Sequence, residues 1–188
     1  LDPVNGNGGA ITFKDTSSNS IFTCDFVNNT ALLYGGAVNY RQTPHNITFN
    51  TNFINNNAKY GGGVNFYASF ENVIFNGEFN GNAAEFGGAM AFENGKVENV
   101  AFKNNHAEYG GAIYSFGNLN ILESEFYKHT AAQQGGAVYV GVPISNSRIN
   151  STFINNSAYQ GGAIFFNNET DGNVINGYFE GNVAERIG

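Results

Sequence analysis

Seven short segments of the chain alternate apolar side chains with other side chains, and each segment begins directly after a pair of glycines. Alternation with a period of two is typical of a β-strand that buries one face. The pattern predicts seven short strands and leaves little room for helices. The segments are GGAITF from Gly8, GGAVNY from Gly35, GGGVNF from Gly61, GGAMAF from Gly87, GGAIYS from Gly110, GGAVYV from Gly135 and GGAIFF from Gly161.

A second signature, F-x-x-N-x-A, follows each of these strands. In six units an apolar residue stands four positions before the signature phenylalanine and shares its parity, which predicts a second strand that leads into it. These residues are Phe22, Phe49, Phe75, Leu122, Ile149 and Ile175. The signature occupies Phe26 to Ala31, Phe53 to Ala58, Phe79 to Ala84, Phe102 to Ala107, Phe126 to Ala131, Phe153 to Ala158 and Phe179 to Ala184, with His129 in the asparagine position of the fifth copy.

The first glycines of successive pairs are separated by 23 to 27 residues, a period that is typical of solenoids. Leucine-rich, ankyrin and tetratricopeptide repeats are excluded, because their leucine frame or helical periodicity is missing. Strands this short bury their apolar faces only by stacking coil upon coil. We therefore predict an all-β fold, a right-handed single-stranded parallel β-helix (a solenoid) of about seven coils. Residues 1–188 are expected to form a single repeat domain that is a fragment of a longer array.

Stacking converts the recurring residues into columns that run along the solenoid. Phenylalanine rings are expected to stack inside the coils, and alanine suits a cramped interior position. Cys24 is the only cysteine, so an internal disulfide is impossible, and we expect its side chain to be a small part of the core. The predicted hydrogen-bonded amide ladder consists of Asn29, Asn56, Asn82, Asn105, Asn156 and Asn182.

The combination of G-G-A-[IVM] with F-x-x-N resembles the repeats of chlamydial polymorphic outer-membrane proteins. The asparagine-rich and tyrosine-rich form FINNSAYQGGAIFF, from Phe153, also resembles adhesin-like surface proteins of methanogenic archaea. The resemblance implies a β-helix of the pectate-lyase-like superfamily, export to the cell surface, and contact with a surface protein or glycan of a host or neighbouring cell. Attachment to a membrane or cell wall is then expected only through regions outside this fragment.

The charge balance narrows the classes of partner. The chain has 15 acidic and 8 basic residues, a net charge of −7, and no cluster of lysine and arginine. Nucleic acid and anionic membrane surfaces are therefore poor candidates for a ligand. No apolar run approaches the roughly 20 residues that a membrane-spanning helix requires.

The ionisable residues do not converge on a reactive cluster, and we predict no catalytic residue, no metal site and no cofactor. The sequence thus favours a non-catalytic adhesin or stalk segment at the cell surface. The alternative is a polysaccharide lyase or glycoside hydrolase with a groove on the edge that carries the variable loops. The aspartates Asp2, Asp15, Asp25 and Asp171 and the arginines Arg41, Arg148 and Arg186 fall in unrelated columns.

Two groups of charged or titratable residues fall on neighbouring coils. Lys59, Glu85 and Glu108 follow the signature alanine in three successive coils, and we interpret them as a solvated face. His106 and His129 could lie close together, but two histidines without a third ligand favour a turn pair over a zinc site.

Aromatic residues offer the best candidate for recognition. Tyr114, Tyr139 and Phe165 stand between the inward apolar residues of three adjacent strands, so we expect them to form a stripe that faces solvent. Such rings could stack on sugars or dock a partner protein. Another column consists of the residue directly before each glycine pair. Strand alternation predicts that these side chains point into the coil, and we interpret the column as structural. Its aromatic members are Tyr34, Tyr60, Phe86 and Tyr109.

The length of the repeat varies mainly in the loops that follow the glycine-pair strands, such as 67–72 and 116–120. Variable loops along one edge of a solenoid often carry recognition. We therefore expect binding on this loop edge and on the outward aromatics beside it.

Overall fold

The computed structural model describes residues 7–185, and Asp2 and Arg186 lie outside this range. Within it the chain forms 26 strands, numbered in chain order, and no helix. All strand pairs in this part of the chain are parallel, and each strand pairs with its counterpart in the neighbouring coil. The predicted all-β parallel solenoid of about seven coils is confirmed.

Three long sheets run along the solenoid. Sheet 1 contains the strands that follow the glycine pairs: β1 (Ile11–Phe13), β4 (Val38–Tyr40), β8 (Val64–Phe66), β12 (Met90–Phe92), β16 (Ile113–Ser115), β19 (Val138–Val140) and β23 (Ile164–Phe166). Sheet 2 contains the strands of the signature phenylalanine: β3 (Phe26–Val27), β6 (Phe53–Ile54), β10 (Glu78–Asn80), β14 (Ala101–Lys103), β17 (Leu119–Tyr127), β21 (Arg148–Ile154) and β25 (Val174–Glu180), with β13 (Gly95–Glu98) beside β17.

Sheet 3 contains the strands that lead into the glycine pairs: β7 (Asn57–Tyr60), β11 (Ala83–Phe86), β15 (His106–Tyr109), β18 (Thr130–Gln134), β22 (Ser157–Gln160) and β26 (Val183–Ala184). Two smaller sheets follow the variable loops. One contains β2 (Ile21–Phe22), β5 (His45–Phe49) and β9 (Glu71–Phe75), and the other contains β20 (Ile144–Ser145) and β24 (Thr170–Asp171).

The interior is filled by columns of apolar side chains. The signature phenylalanines stack from coil to coil, with ring centroids 4.5 Å apart between Phe53 and Phe79 and 4.7 Å apart between Phe126 and Phe153. Both rings of each pair are at most 1% exposed. Because these rings lose almost all contact with water, the column contributes a large part of the hydrophobic stabilisation.

The predicted asparagine ladder is confirmed at the corner between sheets 2 and 3. The Asn82 Oδ1 atom accepts hydrogen bonds from the backbone N–H (2.9 Å) and the Nδ2 atom (3.0 Å) of Asn56. The Nδ2 atom of Asn82 also donates to the carbonyl of Phe53 at 2.8 Å. The ladder therefore provides hydrogen-bond partners for both N–H and C=O groups of the turn. Buried backbone groups need such partners.

The residue before each ladder position adopts a left-handed conformation, with φ between 53° and 68° for Asn55, Gly81 and Asn104. Glycine and asparagine adopt this conformation at low cost. This requirement explains why F-x-x-N usually reads F-x-N-N or F-x-G-N in this sequence.

Two sequence predictions about individual side chains are wrong. Cys24 is exposed, although its column neighbour Thr51 is only 4% exposed, because the first coil has a neighbour on one side only in the described part of the chain. In the fifth coil the side chain of Ile121, and not that of Leu122, points into the interior and stacks in the column of Ile149. Glu123 has φ of 47°, and the pairing register shifts between Leu122 and Glu125.

Candidate functional site

The predicted stripe of Tyr114, Tyr139 and Phe165 forms a stack on the outer face of sheet 1. The ring centroids of Tyr114 and Tyr139 are 5.2 Å apart, and those of Tyr139 and Phe165 are 5.8 Å apart, with nearly parallel planes. The three residues are register partners in β16, β19 and β23. Tyr139, however, is only 7% exposed, so the expectation that all three rings face solvent is wrong.

The stripe is covered by the column that precedes the glycines. Phe86 contacts Tyr114 edge to face at 5.1 Å, and Tyr109 contacts Tyr139 in the same way at 5.4 Å. The prediction that this column points inward is therefore also wrong. Each residue of this column is followed directly by a glycine in left-handed conformation, such as Gly87 after Phe86. The chain turns at that glycine. The aromatic ring before it therefore projects outward, into the angle between sheets 3 and 1. The stacked members of the column are Tyr34, Tyr60, Phe86 and Tyr109, and none belongs to the core cluster.

A pocket of about 220 Å³ opens on this outer aromatic surface. Two of its walls come from the variable loops after β8 and β16, which supply Tyr67 and Phe116. The ring of Tyr67 stands perpendicular to that of Tyr34, at a centroid distance of 5.8 Å, and Tyr67 is 59% exposed. We call this site the tyrosine pocket; its lining residues are Tyr34, Tyr60, Asn65, Tyr67, Tyr114 and Phe116.

The polar part of the tyrosine pocket is the side chain of Asn65. Its Nδ2 atom donates to Asn39 Oδ1 at 2.9 Å, and both asparagines are only 1% exposed. The Asn65 Oδ1 atom accepts no hydrogen bond from the described residues, because the next residue of this column is Ala91, which has no amide to donate. The side-chain oxygen of Asn65 is therefore left beside the pocket without a donor among the described residues.

A second pocket, of about 300 Å³, adjoins the first and shares Tyr34 and Tyr67 with it. Its other lining residues include Arg41, Gln42 and Asn39. Arg41 forms no ion pair within residues 7–185, whose four ion pairs involve lysine or histidine only. Neither pocket is lined by an aspartate or a glutamate of this part of the chain.

Two phenol groups of the tyrosine pocket have a raised pKa. Burial raises the pKa of Tyr34 above its usual value, and the neighbouring phenols of Tyr67 and Tyr60 raise it further. Burial likewise raises the pKa of Tyr114. The phenols of Tyr34 and Tyr114 therefore stay neutral at physiological pH. Strand alternation alone did not predict the pocket.

The other predicted groups do not form a site. Lys59 pairs with Glu85 at 3.4 Å in a partly exposed position, which agrees with a solvated face. His106 and His129 occupy different columns: His106 is exposed and pairs with Thr130, whereas His129 is fully buried in the asparagine ladder. Residues 7–185 contain no group of three or more histidine, cysteine, aspartate or glutamate side chains that could hold a metal ion.

Residues 99–115 and 150–167 match the family described as the Chlamydia polymorphic membrane protein (Chlamydia_PMP) repeat. These two segments are similar to repeats of this type. Each matched segment contains one signature phenylalanine and the glycine pair that follows it, so the match falls on the two signatures that build the coils. The sequence resemblance to chlamydial repeats is thereby confirmed, and the likeness to methanogen surface proteins stays a prediction. A search of curated proteins and a search of solved structures each found no match.

The polymorphic membrane protein repeat contributes only part of the candidate site. Tyr109 and Tyr114 lie inside the first matched segment, whereas Tyr67 and Phe116 lie in loops outside both segments. The described part of the chain has no helix that is long and apolar enough to cross a bilayer.

Proposed function

We propose that this chain is a non-catalytic segment of a cell-surface protein and that it attaches to a surface protein or glycan of a host or neighbouring cell. The repeat type supports a surface or outer-membrane location, since its family is that of a membrane protein. The tyrosine pocket supports attachment. The pocket places Tyr67, which is 59% exposed, beside the side-chain amide of Asn65, a residue that is only 1% exposed.

The solenoid suits such a role. Each coil adds about 4.8 Å to a rod in which neighbouring coils are joined by parallel ladders, so the pocket is held in a fixed orientation. Rigid aromatic side chains bind with little loss of conformational entropy, which is why tyrosine is frequent at recognition sites. Neither pocket carries the two carboxylates that glycoside hydrolysis requires, and catalysis is not part of the proposal.

A binding assay on a glycan array and on whole cells tests the proposal. The Tyr67→Leu variant keeps an apolar side chain but removes the exposed ring, and we expect it to weaken attachment by about tenfold or more. Tyr159→Leu is the matched control, because Tyr159 is also exposed (46%) but lies on β22, outside the pocket. If the chain binds no cell or glycan, or if both variants bind as the unchanged chain does, the proposed attachment site is wrong.

A further inference from the structure

The rings of the tyrosine pocket stand in several orientations around one small space. Tyr67 is perpendicular to Tyr34 (89°), and Phe116 is tilted by 42° from Tyr114, with ring centroids 6.2 Å apart. Tyr114 stacks on Tyr139 with one face, which leaves its opposite face free of that partner. Such an arrangement places aromatic surface around the pocket on more than one side, as in the aromatic cages that bind organic cations.

Charge favours a cation over a neutral or anionic group at this position. Five of the six lining residues are aromatic, and the sixth, Asn65, offers a carbonyl oxygen that has no donor among the described residues. No lining residue carries a positive charge, and the chain as a whole has a net charge of −7. The π-faces and the amide oxygen therefore both present negative potential to a bound group.

One ring of the pocket, that of Tyr60, already lies near a cation. The Lys59 ammonium group lies 5.9 Å from the centroid of the Tyr60 ring, and its charge is balanced by Glu85 at 3.4 Å. Because Tyr60 also stacks on Tyr34 and on Phe86, the remaining aromatic walls of the pocket come from Tyr67, Tyr114 and Phe116.

The hydrogen-bonding capacity of the pocket selects the kind of cation. A primary ammonium group has three N–H donors and is strongly hydrated, so its burial requires several acceptors. The lining of the pocket is mostly aromatic and contains no carboxylate of the described residues, the group that usually pairs with a buried ammonium. A quaternary ammonium group has no N–H donor and spreads its charge over methyl groups, which suits aromatic walls.

The adjoining pocket indicates what such a cation would be attached to. Arg41 lies there without an ion-pair partner in residues 7–185, beside Gln42 and the two tyrosines that both pockets share. A guanidinium group binds phosphate through paired N–H donors. We propose that the tyrosine pocket binds a quaternary ammonium group and that Arg41 contacts a phosphate linked to it, as in phosphocholine. The inference rests on the proposed attachment function, for which it names the chemical group recognised.

Isothermal titration calorimetry with choline and 3,3-dimethylbutan-1-ol tests the first part, because the alcohol has the same shape as choline and no charge. We expect choline to bind about tenfold more tightly than the alcohol. Tyr67→Leu should reduce choline affinity about fivefold or more, while Tyr159→Leu leaves it unchanged. Equal affinity for the two compounds, or equal affinity of the two variants for choline, would overturn the assignment of a cation site.

Phosphocholine tests the second part. It should bind more tightly than choline to the unchanged chain, and the Arg41→Ala variant should lose this difference but keep its affinity for choline itself. An Arg41→Ala variant that retains the preference for phosphocholine would overturn the role of Arg41. Circular dichroism spectra that match the unchanged chain establish that each variant is folded.

Competition separates this inference from the proposed function. If soluble phosphocholine displaces the chain from cells or glycans, both are supported. If cells or glycans bind but phosphocholine does not compete, the attachment function stands and the ligand assignment is wrong. Vesicles of phosphatidylcholine and a phosphocholine-bearing glycan distinguish a lipid source from a saccharide source, and binding to neither overturns the assignment.

Discussion

Replacing Gly88 with alanine is expected to lower the free energy of unfolding by at least about 3 kcal/mol. Gly88 follows the left-handed Gly87 at the corner between sheets 3 and 1. A Cβ atom at this position would overlap the carbonyl oxygen of Gly111 in the next coil and would lie 2.6 Å from the His106 oxygen. These neighbours are backbone atoms held by the coil-to-coil hydrogen bonds, so they cannot move without breaking the stack.

Gly63→Ala is the matched control for this prediction. Its Cβ would lie 2.9 Å from the Ala89 oxygen and 3.0 Å from a carbon of the Phe79 ring, and the corresponding residue of the next coil, Ala89, already carries this methyl group. We expect a change of less than about 1 kcal/mol, because the reduced entropy of the unfolded chain offsets the small adjustment. Urea denaturation of both variants checks the difference, and a Gly88→Ala variant as stable as Gly63→Ala would contradict the close-stacking explanation.

The stability of the protein is expected to fall on acidification more steeply than that of a His129→Asn variant. Burial lowers the pKa of His129 to about 3 from its usual value of 6.5. Between these two values the unfolded chain binds a proton that the folded chain does not, so acid favours unfolding. From pH 7.5 to pH 5 this single group should cost about 2 kcal/mol, a loss that the variant does not share.

The ladder geometry explains why asparagine should be accepted at position 129. The His129 Nδ1 atom accepts the backbone N–H of Asn105 at 3.0 Å, and its Nε2 atom is buried without a hydrogen-bond partner in residues 7–185. Asparagine would accept the same N–H group and could donate to the Phe102 carbonyl, as Asn156 donates to that of Phe126 at 3.1 Å. At pH 7.5 we therefore expect the free energy of unfolding of the variant to equal that of the unchanged chain or to exceed it by up to about 1 kcal/mol.

Thermal and urea unfolding from pH 7.5 to pH 5 measure this difference. His106→Asn is the control, because His106 is exposed and lies outside the ladder. This variant should keep the acid sensitivity that the buried His129 gives the unchanged chain. Parallel pH curves for the unchanged chain and the His129→Asn variant would show that His129 does not carry the acid sensitivity.

The sequence predicts the fold well because the same physical requirement recurs in every coil. Phenylalanine, asparagine and the glycine pair each occupy one place on the solenoid, so a single residue type repeated at a regular period marks a column. Where the repeat is irregular the prediction is less accurate. Alternation predicts Leu122 in the interior, but Ile121 lies there, because an additional residue in left-handed conformation, Glu123, shifts the pairing register.

The tyrosine pocket was predictable only in part. Strand alternation correctly places Tyr114 on the outer face, and the loop edge was expected to carry recognition. The same alternation, however, assigned Tyr34 and Tyr60 to the interior. Alternation applies within a strand and fails at its last residue, where a left-handed glycine turns the chain. Tyr67 and Phe116 lie in loops of unequal length, so no column identifies them as neighbours; their proximity depends on how each loop folds back.

An aromatic ¹H–¹³C NMR titration of the chain with phosphocholine tests most directly whether the outer aromatic surface recognises this group. We predict progressive chemical-shift changes in the rings of Tyr67, Tyr114 and Phe116, with the rings of the buried column, such as Phe102 and Phe126, unchanged. Changes confined to rings outside the pocket, or no change at saturating ligand, would contradict the account.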